Sequence, residues 1–510
     1  MILIVRKIFF IHIFFRLKSF KNFSFLNLNF RRIDFTNYKQ IKSFIFKENF
    51  YKSKNKNIHT FDFLNFSNKL GGKIGINLSK KTIFGWHKEN KNKLNFPWSE
   101  DLAAKRLINL LYNYEYINSS SNITDKKKLD TIIYFHIQRV LFDFNIKKVS
   151  DISSFDIIGY LISSLIINKI NNRKIEYLKF IVEFQIDKLG MHKSYNILEH
   201  SKFINNLYEL KNILLFFNVK TSNQFDELIL KMTSILNQYF HSDGSLPLFN
   251  GTNNIFTKII SNSLNKDTYL VKRDFVNVDN GIAFFSHKNK KLFFDVVQPN
   301  KDKISSNLSA GTLSIEWSSY GEKIFTNCGA SESFGKNPEY LRYSAAHSTI
   351  ILQNTNISEI KEGNPHIKFP QSVVFRKETN SEKEIFEGSH NGYIKKFNKI
   401  IRRKLTIFKN KNKLVGEDAV ISYRDNQERL IFHIRFHLAN EIVYNFTNNK
   451  KNIILKTKLN NIWIFKSDTE LIIEDSIIVD NNFTKPTKQI VIKGACINNK
   501  TIRKWSLEKI

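Results

Sequence analysis

Cysteine is almost missing from this chain: its 510 residues include two, Cys328 and Cys496. That excludes a disulfide framework and any zinc site built from several cysteines, and leaves at most one bridge. Proline and glycine are scarce as well, at 7 and 18 residues. With alanine also sparse and Lys, Asn, Ile and Phe over-used, the composition drifts toward a few residue types. Acidic residues are short, 46 Asp and Glu against 79 Lys and Arg, for a formal net charge of +33. Such an excess suits a polyanionic partner: an acidic polysaccharide, an anionic lipid surface or nucleic acid. Compositional drift produces it equally well, because the basic residues are spread along the chain. Helix-turn-helix, zinc-finger and ribonucleoprotein signatures are missing, so nucleic acid is not expected as a partner. Long apolar runs are missing too. In the opening MILIVRKIFFIHIFFRLKSF the longest, Ile8 to Phe15, falls far short of the roughly 20 residues that span a bilayer. No cleavage site of the A-x-A type follows. The segment reads as basic and amphipathic, suited to peripheral membrane contact or to packing on the first domain, and the second is expected.

What is present is a change of period. The length exceeds one ordinary core, so two domains are expected. From about Trp98 to Phe240 the apolar spacing is helical: Phe203, Leu207, Leu210, Leu214 and Phe217 form one stripe, and Ile133, Ile137, Val140, Leu141 and Phe144 another. Five or six helices with short polar links predict stacked antiparallel hairpins, as a bundle, solenoid or toroid. Ser153 to Ile170 is apolar on most sides, which predicts an inner position. After HSDGSLPLFNGTNN the period becomes 2, in runs such as KKLFFDVV, KLTIFK, RLIFHIRFHL and QIVIKG, the pattern of a large antiparallel sandwich. The expected fold class is α+β multidomain: a basic N-terminal segment at 1–80, a helical domain at 81–267 and an antiparallel β-sandwich at 268–510.

Within the β half, AGTLSIEWSSYGEKIFTNCG is written as a hairpin. Leu313, Ile315 and Trp317 alternate with Ser314, Glu316 and Ser318, a turn falls at Tyr320–Gly321, and the return strand runs through Ile324. Its head, Asn307 to Gly311, is a run of small residues that no core requires. Taken in order, DGSLPLFNG, this hairpin, RYSAAHSTIIL, NKIIRRKLTIFKNKNKLVGED, FHIRFHL and KQIVIKG resemble the heparinase II/III-like family of polysaccharide lyases. The similarity runs from FPWSEDLAAKRLINLLY to KWSLEKI. It implies an incomplete (α/α) toroid followed by an antiparallel β-sandwich, no cofactor, and an acidic, uronic-acid polysaccharide as partner, cleaved by β-elimination at the interface of the two domains. It also implies a place in the cell envelope or periplasm, with the cytoplasm as the alternative because the N-terminus is a poor signal peptide.

β-Elimination requires that the uronate carboxylate be neutralised, so that the enolate-like intermediate is stabilised. It also requires a base for the C5 proton and an acid for the departing O4. The resemblance implies a Tyr and a His or Asn from the toroid, with a further His from the sandwich. Relatives commonly carry histidines ahead of the hairpin in an H-A-H-A pattern, whereas this chain has Asn307-Leu308-Ser309-Ala310. The second of those histidines and the Asp of a following D-x-G hold zinc in some relatives. Here Ser309 and Asn327 stand there, and no metal is expected. The toroid motif, KLGMHKSYNILEH, keeps Gly190 and His192 but has Glu199 where a tyrosine is expected, with Tyr195 the nearest replacement. The catalytic candidates are therefore His192, Tyr195 and His347, and the substrate-binding candidates Asn250, Asn307, Arg342, Arg435 and His437.

Each has a plainer alternative. His347 closes a strand, His192 caps a helix, and Asn250–Gly251 forms a tight turn. His433, Arg435 and His437 share one face of a strand that is either solvated or cleft-lining. Arg402, Arg403 and Lys404 read as a solvated strand end. At the level of function, a lyase stands beside a glycan-binding protein that has lost its acid and base.

Overall fold

The computed structural model describes residues 34–47, 50–99, 101–219, 224–264, 281–302, 304, 306–331, 339–360, 367–425, 428–480, 483–497 and 499–510. The amphipathic opening and the expected boundary at 267/268 lie outside them. The described chain packs as two units. One takes the residues up to Ile186 and Lys202–Ile229; the other takes Asp187–Ser201 and the residues from Leu230 onward.

Eleven helices among the described residues precede the strands: α1 (Tyr38–Lys42), α2 (Phe63–Leu70), α3 (Gly72–Asn90), α4 (Leu102–Tyr112), α5 (Tyr114–Asn118), α6 (Ile123–Ile146), α7 (Ser154–Ile166), α8 (Asn172–Phe184), α9 (Ile197–Phe216), α10 (Gln224–Leu236) and α11 (Thr257–Leu264). Between Trp98 and Phe240 that makes seven, against five or six expected, because the single-turn α5 is too short to carry a periodic signal. α7 starts with a reciprocal cap in which Ser153 and Asp156 each accept from the other's backbone N–H, satisfying two donors that the first turn leaves open. Every residue from Asp156 to Leu165 is buried, as its apolar sequence predicts. Nearby, the Arg106 guanidinium lies 4.2 and 4.6 Å from the rings of Trp86 and Trp98 and donates to the carbonyls of His59 and Pro97.

The other unit carries two eight-stranded sheets. One runs β1 (Gly281–His287), β2 (Lys290–Val296), β3 (Ile315–Ser319), β4 (Glu322–Thr326), β10 (Leu430–Leu438), β15 (Phe483–Cys496), β14 (Leu471–Asp480), with β5 (Ile350–Leu352) also on β10. The second runs β11 (Val443–Phe446), β12 (Asn452–Lys456), β13 (Ile462–Ser467), β16 (Lys500–Lys509), β9 (Lys413–Ser422), β8 (Lys399–Phe408), β7 (Lys383–Tyr393), β6 (Val373–Thr379). The helix α12 (Ile394–Phe397) is one turn long. Period-2 sequence pairs these strands antiparallel, and inward side chains from both sheets, among them Trp317, Phe325, Phe436, Phe465 and Trp505, make one core.

One expectation needs correction. Arg403 is no solvated strand end: β8 alternates strictly, and Arg403 points inward with Ile401, Leu405 and Ile407. Its guanidinium grips both oxygens of Asp418 at 2.7 and 3.0 Å and reaches the carbonyls of Leu313 and Ser348, each at 2.8 Å. β3 is buried on both faces, so its polar residues are not turned to solvent. Cys328 and Cys496 are free and buried; the one bridge that two cysteines allow is not formed. No helix among the described residues is long and apolar enough to cross a membrane.

Candidate functional site

The head of the hairpin is a loop held by its backbone. Arg342 donates through Nη2 to the carbonyls of Ser306 (2.7 Å) and Leu308 (2.8 Å), and through Nε to Leu308 again (3.2 Å). From the other side, Asn250 Oδ1 accepts the Ser309 N–H at 3.0 Å. Ala310 N–H donates to the Arg342 carbonyl at 2.8 Å. Leu308, Ser309 and Ala310 are thereby buried while Asn307 stays exposed. Asn250 and Gly251 turn the chain with φ of 51° and 84°, as an Asn-Gly pair should. His347 lies 2% exposed with neither ring nitrogen in a well-formed hydrogen bond, and burial pushes it down to about 4. A Cβ on Gly311 would stand 2.9 Å from its ring, so glycine there is what lets the loop lie against the imidazole.

The same unit contains the turn from Asp187 to Ser201. Asp187 Oδ1 accepts from Leu189 N and Met191 N at 2.9 and 2.8 Å. Tyr195, with φ 48°, is 6% exposed, and its carbonyl faces Asn250 Nδ2 at 3.5 Å. Burial, reinforced by the Asp187 and Asp295 carboxylates, pushes the Tyr195 phenol above its ordinary range, so it stays protonated. Asp295 is itself pushed up to about 7 by burial. His192 is half-buried, its Nδ1 2.8 Å from Ser194 Oγ. Burial holds it at about 4, although Glu199 works in the opposite direction.

Sequence reasoning missed the centre of this region. Glu316, fully buried, accepts from His241 Nε2 (2.8 Å), Lys323 Nζ (3.2 Å), Leu248 N (3.0 Å), Asn327 N (2.9 Å) and Asn327 Nδ2 (3.1 Å). Burial raises its pKa, yet Lys323, His241 and the Asn327 amide outweigh this and hold the carboxyl at about 2. Ser318 Oγ sits 2.8 Å from His241 Nδ1 and accepts from Ser242 N at 3.1 Å. The segment His241–Leu248 thus covers the polar face of β3. The signal was present: Ser314, Glu316 and Ser318 alternate on one face, and HSDGSLPLFNGTNN marked the change of period and carried part of the resemblance.

The remaining candidates are engaged. Arg435 pairs with Glu474 at 2.6 Å. His437 is 1% exposed, with Nδ1 2.7 Å from Ser476 Oγ and 3.7 Å from Cys328 Sγ, and burial lowers it to about 3. Asn327 spends its amide on Glu316 and its carbonyl on Ser348 N at 2.9 Å. No group of three or more His, Cys, Asp or Glu among the described residues is placed to hold a metal ion. One network of hydrogen bonds therefore connects Tyr195, Asn250, the Asn307 loop and Arg342. Within it, Asn307 is the exposed residue and Ser306 is half-buried.

Residues 272–506 match the family described as heparinase II/III-like, C-terminal. No curated protein matches the chain in sequence. Among solved structures, a heparinase III superposes with a TM-score of 0.73 at 13% identity, covering 97% of this chain and 88% of its own. The heparinase III named as the BT4657 gene product gives 0.67 at 11%, covering 97% and 87%. The heparan sulfate lyase HepC from Pedobacter heparinus gives 0.59 at 12%, covering 90% and 76%. At those identities the likeness is one of fold: helical domain first, antiparallel sheets after. Residues 272–506 are thus similar to heparinase II/III-like C-terminal domains, and the chain has the fold of the solved heparinase III structures.

Proposed function

We propose that this protein acts on an acidic, uronic-acid-containing polysaccharide, holding the uronate carboxylate at the Asn307 loop and eliminating across it slowly. The observation that carries this reading is the loop itself: Arg342 and Asn250 fix its backbone and leave Asn307 exposed. The amide of Asn307 donates two hydrogen bonds, enough to bind and partly neutralise a carboxylate, but it moves no proton. Tyr195, kept protonated, and His347, buried, are poor substitutes for the missing imidazoles. General acid or base catalysis contributes about 100- to 10,000-fold, so the rate should fall below that of a relative bearing both histidines by about that factor. The positive balance of the chain would raise the local concentration of such a polymer. The place of work is the cell envelope, and fractionation that finds the protein wholly in the cytosol refutes that part.

The test is to incubate the purified protein with heparan sulfate, chondroitin sulfate and alginate. Binding and the ultraviolet absorbance of unsaturated uronate are both followed, with a neutral glucan as control. Binding with slow product formation is expected. Failure to bind any of the three, or equal affinity for the neutral glucan, refutes the reading.

A further inference from the structure

Apolar residues scattered singly over a surface call for no explanation, but three stand together at one corner of the helical unit. Phe46, Leu70 and Ile74 are 63%, 47% and 77% exposed. Phe46 follows α1 and meets the Phe66 ring edge-on, with centroids 6.4 Å apart. Leu70 lies one turn beyond Phe66 on the same face of α2. Ile74 is in the first turn of α3, across the corner that Gly71 and Gly72 make with φ of 68° and 58°. Ile41, Phe44, Ile45, Phe63 and Leu64 are buried beside them, so the chain here already has an inward apolar face, and the three are additional to it. Lysines surround the same corner. Lys42, Lys47 and Lys73 are exposed, and Lys69 lies 3.7 Å above the Tyr38 ring. Acidic groups offset little of this: among the described residues, Asp34 is engaged by Lys69 at 3.6 Å, and Asp62, at the other end of α2, accepts from Thr60 and Asn109. The sequence that leads into the corner has the same character, with seven Lys and Arg, eight Phe and no Asp or Glu in residues 1–33.

Charge decides what covers this face. A second copy of the chain set on it, or residues 1–33 laid over it, would bring basic side chains against basic side chains, and like charges so placed repel. An acidic polysaccharide would answer the lysines but has no acyl chain to take up Phe46, Leu70 and Ile74. We propose that the corner rests on an anionic lipid bilayer, with Lys42, Lys47 and Lys73 at the level of the headgroups and Phe46, Leu70 and Ile74 entering the acyl boundary. Residues 1–33, which join the corner at Asp34, supply basic and apolar side chains of the same two kinds. Neither signal alone anchors a protein stably, and the two together do. The contact is independent of the function proposed above.

The experiment is flotation of the full chain with phosphatidylcholine vesicles, with and without phosphatidylglycerol. Binding to the vesicles that contain phosphatidylglycerol is expected, and it should weaken as salt is raised. Combining Lys42→Gln, Lys47→Gln and Lys73→Gln should weaken it by about fivefold per lysine. Combining Phe46→Ser, Leu70→Ser and Ile74→Ser should weaken it by about tenfold or more. The far-ultraviolet circular dichroism of both variants should match that of the unmodified chain, because every side chain changed is exposed. Equal binding to the two kinds of vesicle, binding to neither, or a folded variant of either set that binds as tightly as the unmodified chain overturns the proposal. Sedimentation equilibrium and heparan sulfate binding test the other occupants. A dimer that the serine variant dissolves, or heparan sulfate binding that it abolishes, assigns the face to a second copy or to the polysaccharide and overturns the proposal as well.

Discussion

Lowering the pH from 7 to 5 should unfold the sheet-bearing unit, and the cause lies in four buried histidines. His200, His347, His390 and His437 are each at most 2% exposed, and burial lowers them to about 3, 4, 3 and 3 respectively. An unfolded imidazole titrates near 6.5. Between that value and the folded ones, the unfolded chain binds more protons than the native chain, so stability rises with pH across this window. It is fully present above about pH 6.5 and is lost as the pH falls toward 4. At pH 5 the unfolded rings are almost all charged and the buried ones almost all neutral, which costs about 2 kcal/mol per ring, or about 8 kcal/mol together. Domains are stable by roughly 5–15 kcal/mol, so a loss of this size reaches the threshold of unfolding. Thermal melts followed by near-ultraviolet circular dichroism at pH 7.5, 6.5, 5.5 and 5.0 should show a steep fall, with unfolding at pH 5 taking up about four protons. A melting temperature that is flat across this range, or uptake of less than one proton, refutes the assignment.

Arg403→Met should cost about 3–5 kcal/mol, because it strands the Asp418 carboxylate in the core; pairing it with Asp418→Leu should recover most of that loss in urea titrations. Glu316→Gln should destabilise by about 2–3 kcal/mol, removing the charge that Lys323 and His241 face, again read by urea unfolding. Gly311→Ala, which sets a methyl against the His347 ring, should cost about 1–3 kcal/mol and shift the His347 ring signals in NMR. Asn307→His should speed production of unsaturated uronate by about 100-fold or more if one imidazole restores proton transfer; an unchanged rate would show that the loop is not where the reaction is limited.

The two-part fold was legible because each half keeps one period for long enough to be counted. Helical stripes such as Phe203, Leu207, Leu210 and Leu214 are buried as expected, and the hairpin turns at Tyr320–Gly321 as written, with Ser319 opposite Glu322. Arg403 was misread by judging the run Arg402-Arg403-Lys404 as a block. Read at period 2, it belongs with Ile401, Leu405 and Ile407, so the pattern already placed a charge in the core. Glu316 was hidden for another reason. Alternation distinguishes the two faces of a strand but not whether a remote segment covers the polar one, and His241–Leu248 does so here. The Asn307 loop was singled out for the residues it lacks, while the support that Arg342 gives its backbone has no sequence signal.

Arg342, Asn250 and Ser344 hold the Asn307 loop by its peptide groups: the carbonyls of Ser306, Leu308 and Ala310 and the N–H groups of Ser309 and Ala310. Peptide groups are the same whatever side chain they carry. The loop therefore behaves as a socket whose shape is independent of the plug, and residue 307 can change identity without changing the path of the chain beneath it. An imidazole at position 307 would sit on the same mounting, and a single codon change would be enough to fit one.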